Sequence, residues 1–318
     1  MPGQPAEADE SSSACRFRDN AELRFSLRSL ERNAPWVRRI HIVTNGQVPD
    51  WLLASRKVSV VTHEQIFSCS DVLPVFNSHA IELQLHRIPH LSRRFLYLND
   101  DLFVCRPVIP GDFVIDHNAQ SFYLDTIPLH CDSAAGNVHD RAYAYTQEVV
   151  AGGGLQAMPR ARWLPCHCPQ LYDRDILFRL EQQYPEAYSV TLSHRLRHPR
   201  DFVLRIAYLL TLHHESAMAC GHRFRTLNAR SDYMLLMLSD NLRNNASGLL
   251  AAARSRPRFL CLNDDILDSR KSRITGLWSR LMLRWLFPFP SRFERAPGYS
   301  LSASIRRHYL SSSRRRTR

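Results

Sequence analysis

At 318 residues the chain is long enough for one large α/β domain or two small ones, and its 44% hydrophobic and 23% charged content excludes a wholly disordered protein. No run reaches the ~20 apolar residues of a membrane helix; the best candidate, Leu281 to Phe289, is interrupted by Arg284 and Pro288. The net charge of +12 does not mark a nucleic-acid binder, because Arg306, Arg307, Arg314, Arg315, Arg316 and Arg318 supply six of those charges from the tail, leaving +6 and no aromatic-interleaved basic module.

The chain opens MPGQPAEADESSSAC, without the basic and apolar regions of a signal peptide. Residues 1–14 therefore read as a disordered leader. Leu23, Leu27, Leu30 and Ala34 then recur at helical spacing up to Pro35. RRIHIVTNG reads as a strand closing on an Asn-Gly turn, and KVSVVTH as a second strand. A helix is expected over Ser78 to Ile88, with Ala80, Ile81, Leu85 and Ile88 on one face, and a strand over Phe95 to Asp101. Strand and helix alternating in this way predict an α/β fold with a mostly parallel sheet and flanking helices.

Prolines and the Gly152–Gly154 run predict an irregular insertion over residues 105–165. Helical spacing returns from Tyr172 to Tyr184 and from Asp201 to about His214, with Asp201 placed as an N-cap. RFLCLNDDI, residues 258–266, is the last strand, followed by an aromatic, proline-studded segment and a solvated basic tail, 301–318. Eight cysteines are scattered without a CxxC pair, which argues against a structural zinc site. Asn245-Ala246-Ser247 is a sequon, an acceptor for a glycan if the chain enters the secretory pathway.

One pattern stands out. Phe95-Leu-Tyr-Leu-Asn99-Asp100-Asp101 and Phe259-Leu-Cys-Leu-Asn263-Asp264-Asp265 differ only at the third position. Strand ends are where ligands gather in an α/β sheet. Adjacent carboxylates repel unless a cation or donors offset them, and oxygen ligands suit a divalent ion such as Mg²⁺ that also bridges phosphates. Asp and Asn also simply start turns after strands.

Three stretches carry a resemblance. RFRDNAELRFSLRSLERNAPWVRRIHIVTNGQVPDWL, continuing through LPVFNSHAIELQLHRIPHLSRRFLYLNDD, resembles the second conserved region of the Stealth family. CHCPQLYDRDILFRLEQQYPEAYSVTLSHRLRHPRDF resembles the third region and RFLCLNDD the fourth. Within residues 15–300, the family's first region, an Asp-Val-Val-Tyr-Thr-Trp-Val-Asp-Gly-like strand and loop, has no counterpart.

The resemblance implies a Rossmann-like, GT-A-like sheet. It also implies transfer of a hexose 1-phosphate, N-acetylglucosamine 1-phosphate foremost, from a UDP-sugar to a sugar hydroxyl of a glycan or glycoprotein. UMP is released, Mg²⁺ or Mn²⁺ is the cofactor, the setting is the Golgi, and a homo-oligomer is allowed. The alternative is an inactive member that binds nucleotide-sugar or glycan. On this reading Asp100 and Asp101 are the metal and diphosphate end, and His167, in Cys166-His167-Cys168-Pro169, is the general base. Asn263 and Asp264 form a second wall of the cleft, Asp264 with a catalytic part. Arg24, Arg28, Arg87, Asn99, Arg197 and His198 bind phosphate, donor or acceptor.

Overall fold

The computed structural model describes residues 15, 18–53, 55–152, 163–217, 221–227 and 232–295. The leader over 1–14 and the basic tail over 301–318 lie outside the described residues.

The first expected helix forms as α1, Glu22–Asn33, and buries Phe25, Leu27 and Leu30. It is followed by strands β1, Ile40–Thr44, and β2, Val58–Thr62, which pair in parallel from Ile40–Val58 to Thr44–Thr62. A short α2, His63–Ile66, leads to α3, Ser78–Leu83, whose Asn77 cap accepts from the His79 amide at 3.1 Å. The helix expected as far as Ile88 stops at Leu83, and a 3₁₀ turn takes over at Leu85–Arg87.

Strand β3 covers Arg94–Tyr97 and β4 covers Leu102–Val104, so Asn99, Asp100 and Asp101 lie in the turn between them rather than inside one strand. Of the insertion expected over residues 105–165, the described parts, 105–152 and 163–165, are more ordered than the prolines suggest, while Gly153 and Gly154 lie outside the described residues. The described parts hold β5, Ser121–Pro128, a fifteen-residue α4, Val138–Gly152, and β6, Trp163–Pro165.

Next come β7, Gln170–Asp173, α5, Arg174–Gln183, and α6, Pro185–Ser193. The α7 helix, Leu204–Ala217, is central, with seven of the nine residues from Leu204 to Leu212 being buried apolar side chains. A helix apolar on all sides belongs inside a core. Its partners include Phe122 of β5, Tyr172 of β7 and Leu177 of α5. The chain closes through β8, Arg223–Thr226, β9, Tyr233–Leu238, α8, Leu242–Ser255, β10, Phe259–Asp264, and α9, Ser269–Leu286.

The architecture is mixed α/β, built on four small sheets among the described residues: β1–β2, β4–β10–β9, β3–β7 and β6–β5–β8. Three of the six strand pairings are parallel (β1–β2, β9–β10, β5–β8) and three antiparallel, so the mostly parallel sheet expected from the alternation is replaced by a mixture. Between the β1–β2 and β3–β7 pairs lies a crevice of about 1070 Å³. All of β1 and β3 and the Leu23, Leu27 and Leu30 face of α1 wall it, and Asn99 and Asp100 line it as well.

Two local expectations change. Asp201 does not cap α7, which starts three residues later. Its fully buried carboxylate instead accepts from Asn77 Nδ2 at 2.8 Å, His194 Nδ1 at 2.8 Å, the His198 amide at 2.9 Å and His79 Nδ1 at 3.1 Å. Asn245 of the sequon is buried on α8, and its amide nitrogen donates to Ser239 O at 2.7 Å and Thr275 Oγ1 at 3.1 Å. Both amide hydrogens are engaged, so the folded chain does not offer Asn245 to a glycan. No helix among the described residues is long and apolar enough to cross a membrane.

Candidate active site

The echoed clusters meet. Strand β4 runs antiparallel to β10, with Cys261 opposite Leu102 and Phe259 opposite Val104. The first Asn-Asp-Asp thus enters β4 at the same sheet end where the second leaves β10, and the Leu262 amide donates to Asp101 O at 3.1 Å. Side chains alternate along a strand, so Cys261 and Asn263 share one face of β10 while Leu260, Leu262 and Asp264 share the other. The Cys261 thiol donates to Asp101 Oδ2 at 3.4 Å.

His167 arrives from the bend between β6 and β7. Buried Gln170 holds that bend: its Nε2 donates to Tyr123 O at 2.8 Å and to Cys166 O at 3.2 Å, and its Oε1 accepts from the Tyr123 amide at 3.1 Å. Cys166 and Cys168 are buried on either side, leaving the half-buried imidazole between them directed at the strand ends. One donor atom each of Asp101, His167 and Cys261 lies within 4.8 Å of the others, and Asn99 Nδ2 is 3.3 Å from His167 Nε2.

A residue without any motif completes the group. Arg205, the one charged side chain between Phe202 and Leu212, places Nη1 3.1 Å from His167 Nδ1 and bonds the Tyr143 hydroxyl through Nη2. Its guanidinium lies 4.9 Å from the Tyr143 ring centroid. Burial pulls its pKa below the ordinary value, opposed by the charge of Glu82. Glu82 in turn accepts from Tyr97 at 3.0 Å. The signal that could have found Arg205 is a single cation inside the run FVLRIAYLLTL, since a charge in a buried helix has to have partners.

The electrostatics around the acidic pair are unbalanced. Asp100 is open to solvent, yet desolvation by the surrounding protein, then the Asp101 charge, raises its pKa, with Asp19 adding to the effect. Glu22 is raised chiefly by desolvation and also feels Asp100. Asp19 and Glu22 therefore extend an acidic cluster that the motif did not reveal. Burial, then the Asp101 carboxylate, pushes the Cys261 thiol well above its ordinary range, which agrees with its donating to Asp101 in the structure. Asp101 and Asp100 offer an ion carboxylate oxygens, the chemistry that Mg²⁺ and Mn²⁺ take, and His167 offers an imidazole nitrogen beside them.

The other expected site residues are dispersed. Arg28 is 2.6 Å and 2.7 Å from the two Glu294 carboxylate oxygens, and Arg24 joins the same carboxylate, so both brace the C-terminal segment instead of facing the acidic pair. Arg87 is exposed and pairs with Glu181 at 2.8 Å, as does His86 at 2.9 Å. Arg197 lines the crevice and donates to Ser78 Oγ at 3.1 Å. His198 packs against the His194 ring at 4.0 Å in the Asp201 cluster, where desolvation, then the His194 charge, lowers its pKa. Asn263 lies on the Cys261 face, its Nδ2 3.4 Å from Met237 Sδ. Asp264 lies on the opposite face of β10, where Arg18 pairs with it at 3.3 Å and the Ile266 amide donates to it at 3.0 Å.

Comparison with known families gives the same partition. Stealth conserved region 2 matches residues 16–122, region 3 residues 166–214 and region 4 residues 252–305. The chain belongs to the Stealth family. Region 2 thus contains Asn99, Asp100 and Asp101, region 3 His167 and Arg205, and region 4 Cys261 and Asn263. These Stealth regions are far apart in sequence and converge at one sheet end.

Among Stealth relatives, an exopolysaccharide phosphotransferase of Streptomyces coelicolor is 38% identical over 90% of this chain and 47% of its own length. A capsular polysaccharide phosphotransferase, SacB, of Neisseria meningitidis serogroup A is 31% identical over 92% of this chain and 53% of its own. The mouse N-acetylglucosamine-1-phosphotransferase subunits alpha/beta are 53% identical over 37% of this chain and 10% of their own length. The chain spans about half the length of the bacterial relatives, and these names support sugar-phosphate transfer in general.

Proposed function

We propose that this Stealth chain transfers a hexose 1-phosphate, N-acetylglucosamine 1-phosphate foremost, from a UDP-sugar to a sugar hydroxyl of a glycan. The observation that carries the reading is the meeting of Asp101, His167 and Cys261, with Asn99 3.3 Å from the imidazole, next to a crevice that Asn99 and Asp100 line. The acceptor oxygen forms a bond to the sugar-bearing phosphorus, the bond from that phosphorus to the bridging oxygen breaks, and UMP leaves with the electron pair. Phosphoryl transfer of this kind depends on positioning and charge neutralisation more than on covalent help from the protein.

Asp101, with Asp100 beside it, would hold Mg²⁺ or Mn²⁺; such an ion supplies charge neutralisation at the diphosphate. Asp100, the more open carboxylate of the pair, accepts the hydroxyl proton, a role the sequence reading gave to His167. Asn99 and Asn263 offer amide contacts, and Arg197, at the crevice wall, offers a cation to the donor's phosphates. The parallel β1–β2 and β9–β10 pairs flanked by helices support a GT-A-like ancestry. The name of the mouse relative, an N-acetylglucosamine-1-phosphotransferase, favours N-acetylglucosamine 1-phosphate as the transferred group.

Purified protein incubated with UDP-N-acetylglucosamine, Mn²⁺ and a mannoside tests the reading. UMP together with a phosphodiester product is expected. Release of UDP would assign ordinary glycosyl transfer, and donor binding without either nucleotide product would leave a binding protein.

A further inference from the structure

We propose that Arg205 is a positioning residue that fixes His167 as a neutral ring with its proton on Nε2, so that His167 acts as a hydrogen-bond donor instead of a base. The inference rests on the transferase reading for its catalytic meaning, but its structural half stands on hydrogen-bond polarity alone. A guanidinium has five N–H donors and no acceptor. Arg205 Nη1, 3.1 Å from His167 Nδ1, can only donate, so Nδ1 presents its lone pair. A neutral imidazole carries one proton, which is then on Nε2.

The neighbour of Nε2 follows. Asn99 Nδ2 is placed 3.3 Å from it, and two N–H groups cannot satisfy each other. Amide oxygen and nitrogen are assigned from the bonding network, so the Asn99 amide turns its Oδ1 to Nε2–H. Arg205 is itself locked by the Tyr143 hydroxyl and ring, and Gln170 holds the His167 bend, which leaves the imidazole little freedom to rotate. The resulting N–H faces the region between Asn99 and Asp101. There it can donate to a phosphoryl oxygen as negative charge builds on it, and it has no lone pair at Nε2 with which to accept a proton from the hydroxyl.

Two measurements decide it. Long-range ¹H–¹⁵N spectra of the resting full chain, with the His167 signals identified by their loss in His167→Gln, should show a neutral Nε2–H tautomer. In Arg205→Met that tautomer should give way to a mixture, and Arg205→Lys should restore part of it. A glutamine amide nitrogen reproduces an Nε2–H donor but not a base. His167→Gln is therefore expected to keep kcat within about tenfold of wild type, while His167→Ala loses about a hundredfold or more, the usual effect of removing one charge-stabilising donor.

An Nδ1–H tautomer in the wild-type chain, or His167→Gln as inactive as His167→Ala, would overturn the proposal. The tautomer is read without substrate, so a failure of UMP release refutes the transferase reading alone.

Discussion

Asp100 and Asp101 are neighbours with unequal surroundings, and their variants should differ accordingly. Asp101 is half-buried and takes the Cys261 S–H, whereas Asp100 is open to solvent. Asp100→Ala should lower UMP release by about 10²- to 10⁴-fold, the range for losing a general base, with an unchanged circular dichroism spectrum. Activity within a few-fold of wild type would sink the assignment. Asp101→Asn should instead raise the Mn²⁺ concentration needed for half-maximal transfer, and an unaltered Mn²⁺ dependence would remove Asp101 from the ion's seat. Asn245 belongs to the same scale. When the chain is secreted from cells, no glycan should be found on the Asn245 peptide of folded protein, because both amide hydrogens are engaged inside the core.

At the scale of elements, the sequence patterns located segments well and their partners poorly. The α1 helix and strands β1, β2 and β10 follow from local periodicity, and each appears near its expected bounds. Strand polarity depends on contacts between distant segments, so β3 pairing antiparallel with β7, and β4 with β10, was not legible. For the same reason the spacing of Arg24 and Arg28, one turn apart on α1, does not reveal that both pair with Glu294 from far along the chain. The Asn-Asp-Asp echo and His167 were legible because strand ends and short motifs are local; Arg205 was not, because nothing local marks what a buried cation faces.

The Asp201 cluster is the clearest element-scale device. One buried carboxylate ties the His194–Asp201 segment to the start of α3 through Asn77 and His79. Asp201→Ala leaves those donors without their acceptor, and breaking such a buried pair costs about 3–5 kcal/mol. Urea denaturation should show that loss, and a change under about 1 kcal/mol would mean that the segment is held by its apolar contacts instead.

For the whole molecule, the decisive tie is between chain regions that lie far apart in sequence. Fully buried Phe293 packs with Leu27, Ile42 and Leu52, its carbonyl accepts from the Leu53 amide at 2.7 Å, and the Arg295 amide donates to Trp51 O at 2.9 Å. Beside it Glu294 gathers Arg24, Arg28 and the Ser291 amide. Burial alone would raise the Glu294 carboxyl, but hydrogen bonds from Arg28, the Ser291 amide and Arg24 outweigh it and hold the pKa down at about 2, against an ordinary 4.5.

A carboxyl with a depressed folded-state pKa stabilises the fold fully above its unfolded value and loses that contribution as pH falls through the folded one. The Glu294 contribution should therefore be complete above about pH 4.5 and vanish toward pH 2. Glu294→Gln keeps the shape and removes the charge, leaving two arginines without their anion, so about 3 kcal/mol of stability should be missing at pH 6. Urea midpoints of the two proteins should converge as the pH is lowered from 4.5 to 2, because protonated glutamic acid and glutamine are then nearly equivalent. Midpoints that stay equally far apart across that range would show that the variant acts through packing of the 291–295 segment and not through the ion pair.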